Sequence, residues 1–414
     1  MSKTAFLLAG QGAFRPGMFA GERGAAELDR LLDATDAVAA EFGRSGVRAH
    51  LLDPTTPAAA ELAATDPFTL QLVVFAAAVG EYHRAARDAV PDVLVGHSLG
   101  ELAALTVAGA FDLVDALRLV CHRSVALAEC ATEPGGMLSL DLVADRTAHV
   151  VAAVGDRRAG VAVLNAPART VVAGPVTALD AVRGVAEALG VRTVRLPAPY
   201  AYHSAGMALA AERFAEAVAS VRQRPLRLPV YSPLLRGYVG DSEDLGALLV
   251  RHLTSPVDFL AAIRALHADG LRTVVECGGG GLGKLVTASV PGVVVAGPAG
   301  PSTPEEVPTP QAVHPASLPA AMPVAGPHVA EVTERLRVLY ATVLQYPLEA
   351  IEPEADLEAE LGIDSLKRAE MLGRVSTEFR LPTSVNDGRF LAHATLAELA
   401  GMVTATLAAE GSTR

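Results

Sequence analysis

A proline-rich segment near residue 300 most strongly limits how these 414 residues can fold. Residues 298–328 contain nine of the chain's 27 prolines. Proline fixes φ and lacks a backbone N–H, so such a segment forms neither a helix nor a central strand. We therefore predict a domain over residues 1–297, an extended linker over 298–328 and a small domain over 329–410.

The composition disfavours several classes of protein. The net charge is −12 without a long basic cluster, so we expect no nucleic-acid partner. Every apolar run is shorter than the ~20 residues that cross a bilayer, and we read MSKTAFLLAG as a first buried strand. Three cysteines without a CxxC spacing favour buried thiols in a reducing cytoplasm, and we expect no metal site.

Alternating patterns over residues 1–297 predict an α/β fold with a largely parallel sheet. Runs such as TAFLLA, DVLVG and RTVVEC are typical of buried strands, and residues 66–90, 101–130, 176–189 and 256–269 have helical spacing. Residues 137–202 form a denser strand–helix–strand–strand–helix–strand series. That order predicts a small ferredoxin-like insert in a hydrolase-like domain.

The segment after the linker has a different character. HVAEVTERLRVLYATVL, DSLKRAEMLGRVSTEF and ATLAELAGMVTATLAAE each have apolar residues at helical spacing. Residues 329–414 hold 14 acidic and 8 basic side chains, a net charge of −6. We therefore predict an all-helical, acidic module.

The stretch VLVGHSLGELAAL, residues 93–105, contains a candidate nucleophile. A buried strand ends in G-x-S-x-G and a helical pattern follows, which is the arrangement of a nucleophile elbow. Gly96 and Gly100 permit a sharp turn, and a helix beginning near Ser98 directs free N–H groups at the serine oxygen. The Leu99 N–H is then placed to stabilise an oxyanion. A tight turn with a capping serine is the simpler alternative.

A serine hydroxyl needs a base to become a nucleophile. His97 is adjacent to Ser98, so we expect its side chain to point elsewhere. His203, in LPAPYAYHSAGM, follows a predicted strand and is our candidate base. A hydrolase triad also needs an acid between serine and histidine in the chain. The candidates Asp112, Asp115, Asp141 and Asp180 lie in no distinctive motif, which weakens a hydrolase assignment.

Several ordered motifs carry a resemblance over about residues 1–297. LAGQGAF, GHSLGE, CHRSVAL, VLNAPARTVVAG, YAYHS, RHLTSPVDF and VVECGGGGLGKLV occur in that order. Together they resemble the malonyl-CoA:acyl-carrier-protein transacylase family, which includes the acyltransferase domains of polyketide synthases.

The resemblance implies a role for each matching residue. Ser98 attacks the thioester of an acyl-CoA substrate, and His203 takes its proton. Gln11 and the Leu99 N–H form the oxyanion hole, and a backbone carbonyl near His252 orients the base. The residues implied in substrate binding are Arg123, Tyr200, Tyr202, His97, Asn165 and His252.

The matching residues also indicate which acyl group is transferred. A guanidinium matches a carboxylate in a planar fork, so Arg123 favours malonyl-CoA or a related dicarboxylic acyl-CoA. In similar synthase domains, YASH accompanies methylmalonyl and HAFH accompanies malonyl, and YAYH mixes the two. A bulky Tyr202 leaves little room for an α-methyl group, so we favour malonyl-CoA, with methylmalonyl and unusual units left open.

A second serine lies in the acidic module. In isolation, Ser365 would be a residue that caps a helix. LGIDSL, however, resembles acyl carrier proteins, which implies a four-helix bundle in which Ser365 carries 4′-phosphopantetheine. A helix N-terminus tolerates the phosphate of that arm. The resemblance also implies three kinds of partner: a phosphopantetheinyl transferase, carrier domains, and a ketosynthase or other synthase components.

The sequence thus predicts an acyltransferase fused to its carrier, in polyketide or fatty acid biosynthesis. The linker spans up to ~95 Å at about 3.1 Å per residue, so it permits loading of the chain's own carrier or of another. Three alternatives stay open. They are a serine hydrolase that removes acyl groups from carriers, an acyltransferase for an unusual or carrier-bound donor, and a non-catalytic docking module.

Overall fold

The structure is a computed structural model that describes residues 2–131, 133–278, 281–296, 329–344 and 395–411, with the single residues 353, 371, 374, 375 and 379. The chain separates into two compact units, Met1–Glu306 and Val307–Arg414. The domain limits of 1–297, 298–328 and 329–410 stay predictions, and the linker lies outside the described residues.

The first unit alternates strands with helices, as expected. Its strands are β1 Lys3–Leu8, β2 Val93–Gly96, β3 Gly135–Leu140, β4 Gly160–Ala166, β5 Arg169–Pro175, β6 Thr193–Arg195, β7 Val230–Ser232, β8 Gly237–Tyr238, β9 Val257–Asp258, β10 Leu271–Cys277 and β11 Val294–Ala296. Its helices are α1 Ala26–Glu41, α2 Arg48–Leu52, α3 Ala59–Thr65, α4 Pro67–Ala85, α5 Gly100–Val107, α6 Leu113–Cys130, α7 Ala144–Val154, α8 Val176–Ala188, α9 Ala208–Val218, α10 Leu245–Thr254, α11 Phe259–Ala268 and α12 Leu282–Ser289.

The main sheet confirms the predicted parallel architecture. Its strand order is β11-β10-β1-β2-β7-β8, and every pair except β7–β8 is parallel. Leu8 pairs with Gly96, so β1 and β2 end side by side. The loops after these two strands therefore meet at one edge of the sheet, where ligand sites of α/β folds commonly lie. Helix α4 is buried on nearly every side, because it packs between this sheet and other helices.

The insert also follows the predicted order, β3–α7–β4–β5–α8–β6. Its strands are arranged β6-β3-β5-β4 and are antiparallel, with a separate core that includes Leu138, Val172 and Leu179. This is the ferredoxin-like arrangement that the sequence predicts. Strand β4 pairs in parallel with the short strand β9, so the insert's sheet continues into the main domain.

Two predicted helices differ in detail. The pattern over 101–130 forms two helices, because Gly109 at φ +91° ends α5 and the chain turns before α6. The pattern over 256–269 begins with β9, and α11 starts only at Phe259. There the carboxylate of Asp258 accepts a hydrogen bond from the Ala261 N–H and caps the helix.

The second unit contains two helices in its described part, α13 Val329–Leu344 and α14 Leu396–Gly411, both of which were predicted. Val332, Leu336 and Tyr340 of α13 share a buried core with Leu399 and Met371. Met371 is therefore a core residue, as its helical spacing suggests. Most of the predicted middle helix, including Ser365, lies outside the described residues, so the four-helix count stays a prediction.

Two further features bear on the sequence-based expectations. No helix in the described ranges is both long and apolar enough to span a membrane. The three cysteines are free, Cys121 and Cys277 are buried, and Cys130 is half-buried. Burial raises the pKa of Cys121 to about 12, so this thiol behaves as a small core side chain.

Candidate active site

The turn after β2 has the geometry of a nucleophile elbow. Ser98 has φ 56°, a left-handed conformation that costs a non-glycine residue energy and occurs mainly at functional turns. A Cβ on Gly96 would lie 2.1 Å from the Glu101 Cα, and one on Gly100 would lie 2.0 Å from the Leu8 carbonyl oxygen. No other residue type fits either position. Helix α5 begins at Gly100, after Leu99, slightly later than the sequence suggests.

Ser98 and His203 are brought together, although 105 residues separate them. The Oγ of Ser98 lies 2.8 Å from the Nε2 of His203. His203 also has a left-handed backbone, with φ 60°, and it is buried. Ser204 stabilises this loop, because its hydroxyl donates to the Ala201 carbonyl over 2.7 Å. The serine hydroxyl can therefore donate to Nε2, which leaves the proton of a neutral imidazole on Nδ1.

The surroundings of His203 keep its imidazole neutral. Burial, reinforced by repulsion from His252, Arg123 and His97, lowers the pKa of His203 well below its usual 6.5. The backbone carbonyl of His252 acts in the opposite direction and raises this pKa. Among the described residues, Nδ1 of His203 is nevertheless buried without a hydrogen bond of normal geometry. A neutral imidazole near pH 7 is the form that accepts a proton from serine.

Arg123 of α6 is a buried cation beside this pair, with 6% of its surface exposed. Its Nη1 donates to the Oε1 of Gln71 in α4, and its Cζ lies 5.2 Å from the centre of the Tyr202 ring. In the described part of the chain, Arg123 forms no ion pair with a carboxylate. A buried guanidinium without an anion is a site prepared for an anionic ligand.

Gln71 was not singled out in the sequence analysis. The sequence does contain a sign of its role: Gln71 is an amide side chain within the apolar run PFTLQLVVFAAAV, on a helix that is buried on nearly every side. Within the described residues, its buried Nε2 makes no hydrogen bond, and the buried hydroxyl of Tyr202, which can accept from Arg123, donates to no acceptor. Two unpartnered donors therefore flank Arg123. Burial raises the pKa of Tyr202, so its hydroxyl keeps the proton that it can donate.

A cavity of about 290 Å³ connects these groups. Most of its wall is apolar, and its polar lining includes Gln71, Ser98, Arg123, Asn165 and Tyr202. This volume suits a small-molecule ligand. The cavity therefore brings a serine hydroxyl, a neutral imidazole and a guanidinium to one small space.

His97 and Asn165 bind each other. The Nε2 of His97 lies 2.7 Å from the Oδ1 of Asn165, and the His97 ring packs edge-on against Phe259. An amide oxygen only accepts, so His97 Nε2 donates in this bond. Burial lowers the pKa of His97, which keeps this ring neutral as well. Because Asn165 belongs to β4, this hydrogen bond ties the insert to the elbow.

The remaining predicted site residues lie farther out. Tyr200 is half-buried and contacts the Tyr202 ring at 5.7 Å, but it lines a neighbouring groove and not the main cavity. His252 also lies outside the main cavity, but it lines a smaller pocket with Ser98 and Arg123, and its ring lies 5.8 Å from that of His203. Gln11 lies in a short 3-10 helix, Gln11–Ala13, and its side chain is outside what the structure describes, as is Ser365.

Comparison with known proteins identifies the first unit. Residues 5–279 match the family model of the acyl transferase domain. The chain belongs to the acyl transferase domain family. Residues 334–403 match the model of the phosphopantetheine attachment site. The resemblances that the sequence predicts for the two parts are therefore confirmed.

The relatives of this acyltransferase are polyketide synthases and malonyl transferases. It is 34% identical over 276 residues to the spectinabilin polyketide synthase system protein NorC of Streptomyces orinoci. The matched region is 66% of this chain but only 12% of NorC. The acyltransferase domain of the second salinomycin synthase module superposes with a TM-score of 0.61 at 28% identity, over 72% of this chain and 69% of that one. The acyl-carrier-protein S-malonyltransferase of Burkholderia pseudomallei superposes with a TM-score of 0.64 at 27% identity. The match covers 71% of this chain and 95% of that one.

Proposed function

We propose that this acyltransferase moves a malonyl-type unit from CoA to Ser98 and then to the phosphopantetheine thiol of an acyl carrier protein, in polyketide or fatty acid biosynthesis. One observation carries the proposal. The Ser98–His203 pair, 2.8 Å apart, shares a cavity with a buried Arg123 that has no anionic partner in the described chain. A nucleophile beside a carboxylate-binding cation suits acyl groups that end in a carboxylate.

In the first half-reaction, the Oγ of Ser98 attacks the thioester carbonyl while Nε2 of His203 takes the hydroxyl proton. The carbonyl oxygen becomes an oxyanion. The Leu99 N–H, which donates to no backbone carbonyl in the described chain, lies at the start of α5 and can donate to that oxygen. The family resemblance assigns a second donor, Gln11. The intermediate collapses, and the CoA thiolate leaves with the proton of His203.

The second half-reaction reverses these steps with a different thiol. The phosphopantetheine thiol gives its proton to His203 and attacks the acyl-Ser98 ester. Ser98 leaves and recovers the proton. Ser365 is the attachment residue that we assign in this chain, and a phosphopantetheinyl transferase must install the arm. The acceptor is this carrier or another one, and a ketosynthase or other synthase component then uses the loaded unit.

The donors around Arg123 favour malonyl over an acyl group without a carboxylate. A carboxylate has about four acceptor positions. The guanidinium fork can occupy two of them, and Gln71 Nε2 and the Tyr202 hydroxyl are unpartnered donors for the other two. An acetyl group would leave these buried donors unsatisfied, and polar sites reject such analogues by up to about 10⁴-fold.

A carrier-stripping hydrolase is the main rival. A triad needs a carboxylate at Nδ1 of the base. Within the described residues, Nδ1 of His203 meets no carboxylate, and the group acting on it is the backbone carbonyl of His252. This arrangement supports a serine–histidine dyad and agrees with transfer to a thiol.

Intact-protein mass spectrometry tests the proposal. The holo protein, made with a phosphopantetheinyl transferase, receives malonyl-, methylmalonyl- and acetyl-CoA together. Ser98→Ala and Ser365→Ala are measured alongside it, with Ser139→Ala as a matched control in the insert. We expect a malonyl mass on Ser98 and on the arm, with both lost in Ser98→Ala and only the arm signal lost in Ser365→Ala.

Three other outcomes would change the assignment. Acylation of Ser98 without loading of the arm would direct the transfer to another carrier. Accumulation of free malonate would favour the hydrolase. Failure of all three substrates to acylate Ser98 would reject a malonyl-type donor from CoA and leave unusual or carrier-bound donors.

A further inference from the structure

A buried acid–histidine pair lies behind the base. Glu101, in the first turn of α5, is fully buried, and its Oε2 lies 2.8 Å from the Nε2 of His252 in α10. The two residues are 151 positions apart in the chain. Glu101 does not line the main cavity, and His252 lines a smaller pocket beside Ser98 and Arg123. A buried carboxylate is costly unless it is paired and hydrogen-bonded, so the bond from His252 matters to both residues.

His252, the partner of Glu101, also carries the backbone carbonyl that acts on His203. The rings of the two histidines are 5.8 Å apart. The other oxygen of Glu101, Oε1, makes no hydrogen bond within the described chain. His252 is therefore the hydrogen-bonding partner through which this carboxylate acts. This hydrogen bond joins α5, which begins directly after the turn at Ser98, to α10.

We propose that Glu101 is a positioning residue: through its hydrogen bond to His252, it sets how closely the His252 carbonyl approaches Nδ1 of His203. The inference rests on the proposed function, because it concerns the same dyad. It assigns Glu101 no contact with substrate.

The charges around His203 explain why this position matters. When Nε2 takes the serine proton, the ring becomes a cation, and His252, Arg123 and His97 all oppose that charge. The His252 carbonyl favours it. Within the part of the chain that the structure describes, Nδ1 makes no hydrogen bond of normal geometry, so a small shift of α10 decides whether the carbonyl accepts from Nδ1–H during proton transfer.

Four variants of the full-length chain test the role of Glu101. Glu101→Leu removes the bond to His252, and Glu101→Gln keeps an oxygen that can accept it. The double variant Glu101→Leu/His252→Leu removes both partners, so that neither is left buried alone. Glu81→Leu is the matched control. Glu81 is also a fully buried acid paired with a cation, Arg84, and it lies about 15 Å along α4 from Gln71.

Two rates and one stability measurement are needed. The first rate is phosphonylation of Ser98 by a fluorophosphonate probe, which needs the base but no acyl substrate. The second is transfer from malonyl-CoA, with kcat and KM determined separately. Thermal unfolding shows which variants are folded.

We expect Glu101→Leu and the double variant to lose about 10- to 100-fold in phosphonylation rate and in kcat, with KM unchanged. Glu101→Gln should recover part of both rates. The acidic limb of the pH–rate profile should move to lower pH in the slow variants, because the carbonyl that raises the pKa of His203 has withdrawn. Glu81→Leu should lower the melting temperature without changing either rate.

A folded double variant with the rates of the unaltered chain would overturn the inference. So would an unchanged pH profile in Glu101→Leu, because a purely structural pair alters stability alone. A wrong proposed function would give a different result. The unaltered protein would then react with the fluorophosphonate probe but be acylated by no acyl-CoA, and the probe reaction would still test the role of Glu101.

Discussion

Replacing Tyr202 by phenylalanine removes one hydroxyl from the wall of the cavity. Only 5% of the Tyr202 surface is exposed, and its hydroxyl donates to no acceptor within the described residues. The guanidinium of Arg123 lies over its ring, with Cζ 5.2 Å from the ring centre. Phenylalanine keeps that ring contact. The substitution therefore isolates the hydroxyl, which in our proposal donates to the malonyl carboxylate.

The hydroxyl should have opposite effects on stability and on substrate binding. In the free enzyme, a buried hydroxyl proton without an acceptor costs about 1–3 kcal/mol. As a donor to a carboxylate, it contributes about 1.5–3 kcal/mol, which is about 10- to 100-fold in a rate or binding constant. Tyr202→Phe should therefore raise the melting temperature, by about 2–4 °C for each kcal/mol gained, and lower kcat/KM for malonyl-CoA about 10- to 100-fold.

Acetyl-CoA provides the internal control, because it lacks the carboxylate. Its slow transfer should change less than threefold, about 0.6 kcal/mol, in Tyr202→Phe. Tyr231→Phe is the matched variant: the Tyr231 hydroxyl donates to the Arg236 carbonyl over 2.9 Å, so its loss should lower the melting temperature. Equal losses with malonyl-CoA and acetyl-CoA in Tyr202→Phe would refute the assignment, since a carboxylate contact cannot affect acetyl transfer.

Three further predictions concern the same site. Arg123→Ala should lower malonyl transfer about 10²- to 10⁴-fold while acetyl transfer changes little, and Arg118→Ala, an exposed position on the same helix, should leave both rates unchanged. Because the pKa of His203 lies well below 6.5, Ser98 phosphonylation measured from pH 4.5 to 8 should persist at pH 6; half-loss at pH 6.5 would contradict this. Asn165→Leu leaves His97 unpaired and should lower the free energy of unfolding, measured in urea, by about 1–3 kcal/mol; no change would mean that this bond does not anchor the insert.

The buried histidines also predict how stability depends on pH. In the folded chain, the pKa values of His97 and His203 are lowered, whereas in the unfolded chain they return to about 6.5. Below pH 6.5 the unfolded state therefore binds more protons, and the free energy of unfolding falls as the pH drops. His203→Gln should flatten this decline, and an unchanged slope would show that His203 is not buried as a neutral ring.

Local pattern was enough to predict most of the secondary structure. The apolar runs became β1, β2 and β10, and the series β3–α7–β4–β5–α8–β6 followed the predicted order. These elements depend on periodicities of 2.0 and 3.6 residues, which neighbouring residues carry by themselves. The break between α5 and α6 was missed, because a glycine within a helical pattern marks a helix end only when it adopts positive φ, as Gly109 does.

The elbow was predictable for the same reason. G-x-S-x-G between a strand and a helix is a local signature, and the sequence by itself identified Ser98 as the candidate nucleophile. Ordered motifs along the chain also singled out His203 and Arg123. The sequence could not supply the distances between them. The 2.8 Å contact of Ser98 with His203 joins loops 105 residues apart.

Only the tertiary structure decided which polar groups are paired. It joined Gln71 to Arg123, His97 to Asn165 and Glu101 to His252, and it left the Tyr202 hydroxyl without an acceptor among the described residues. It also placed Tyr200 and His252 outside the main cavity. A residue's type determines what it can donate or accept, but its partner is determined by how distant helices and strands pack. Composition and spacing therefore predict the chemistry of the site, and the packing of α4, α6 and α10 around the elbow sets its geometry.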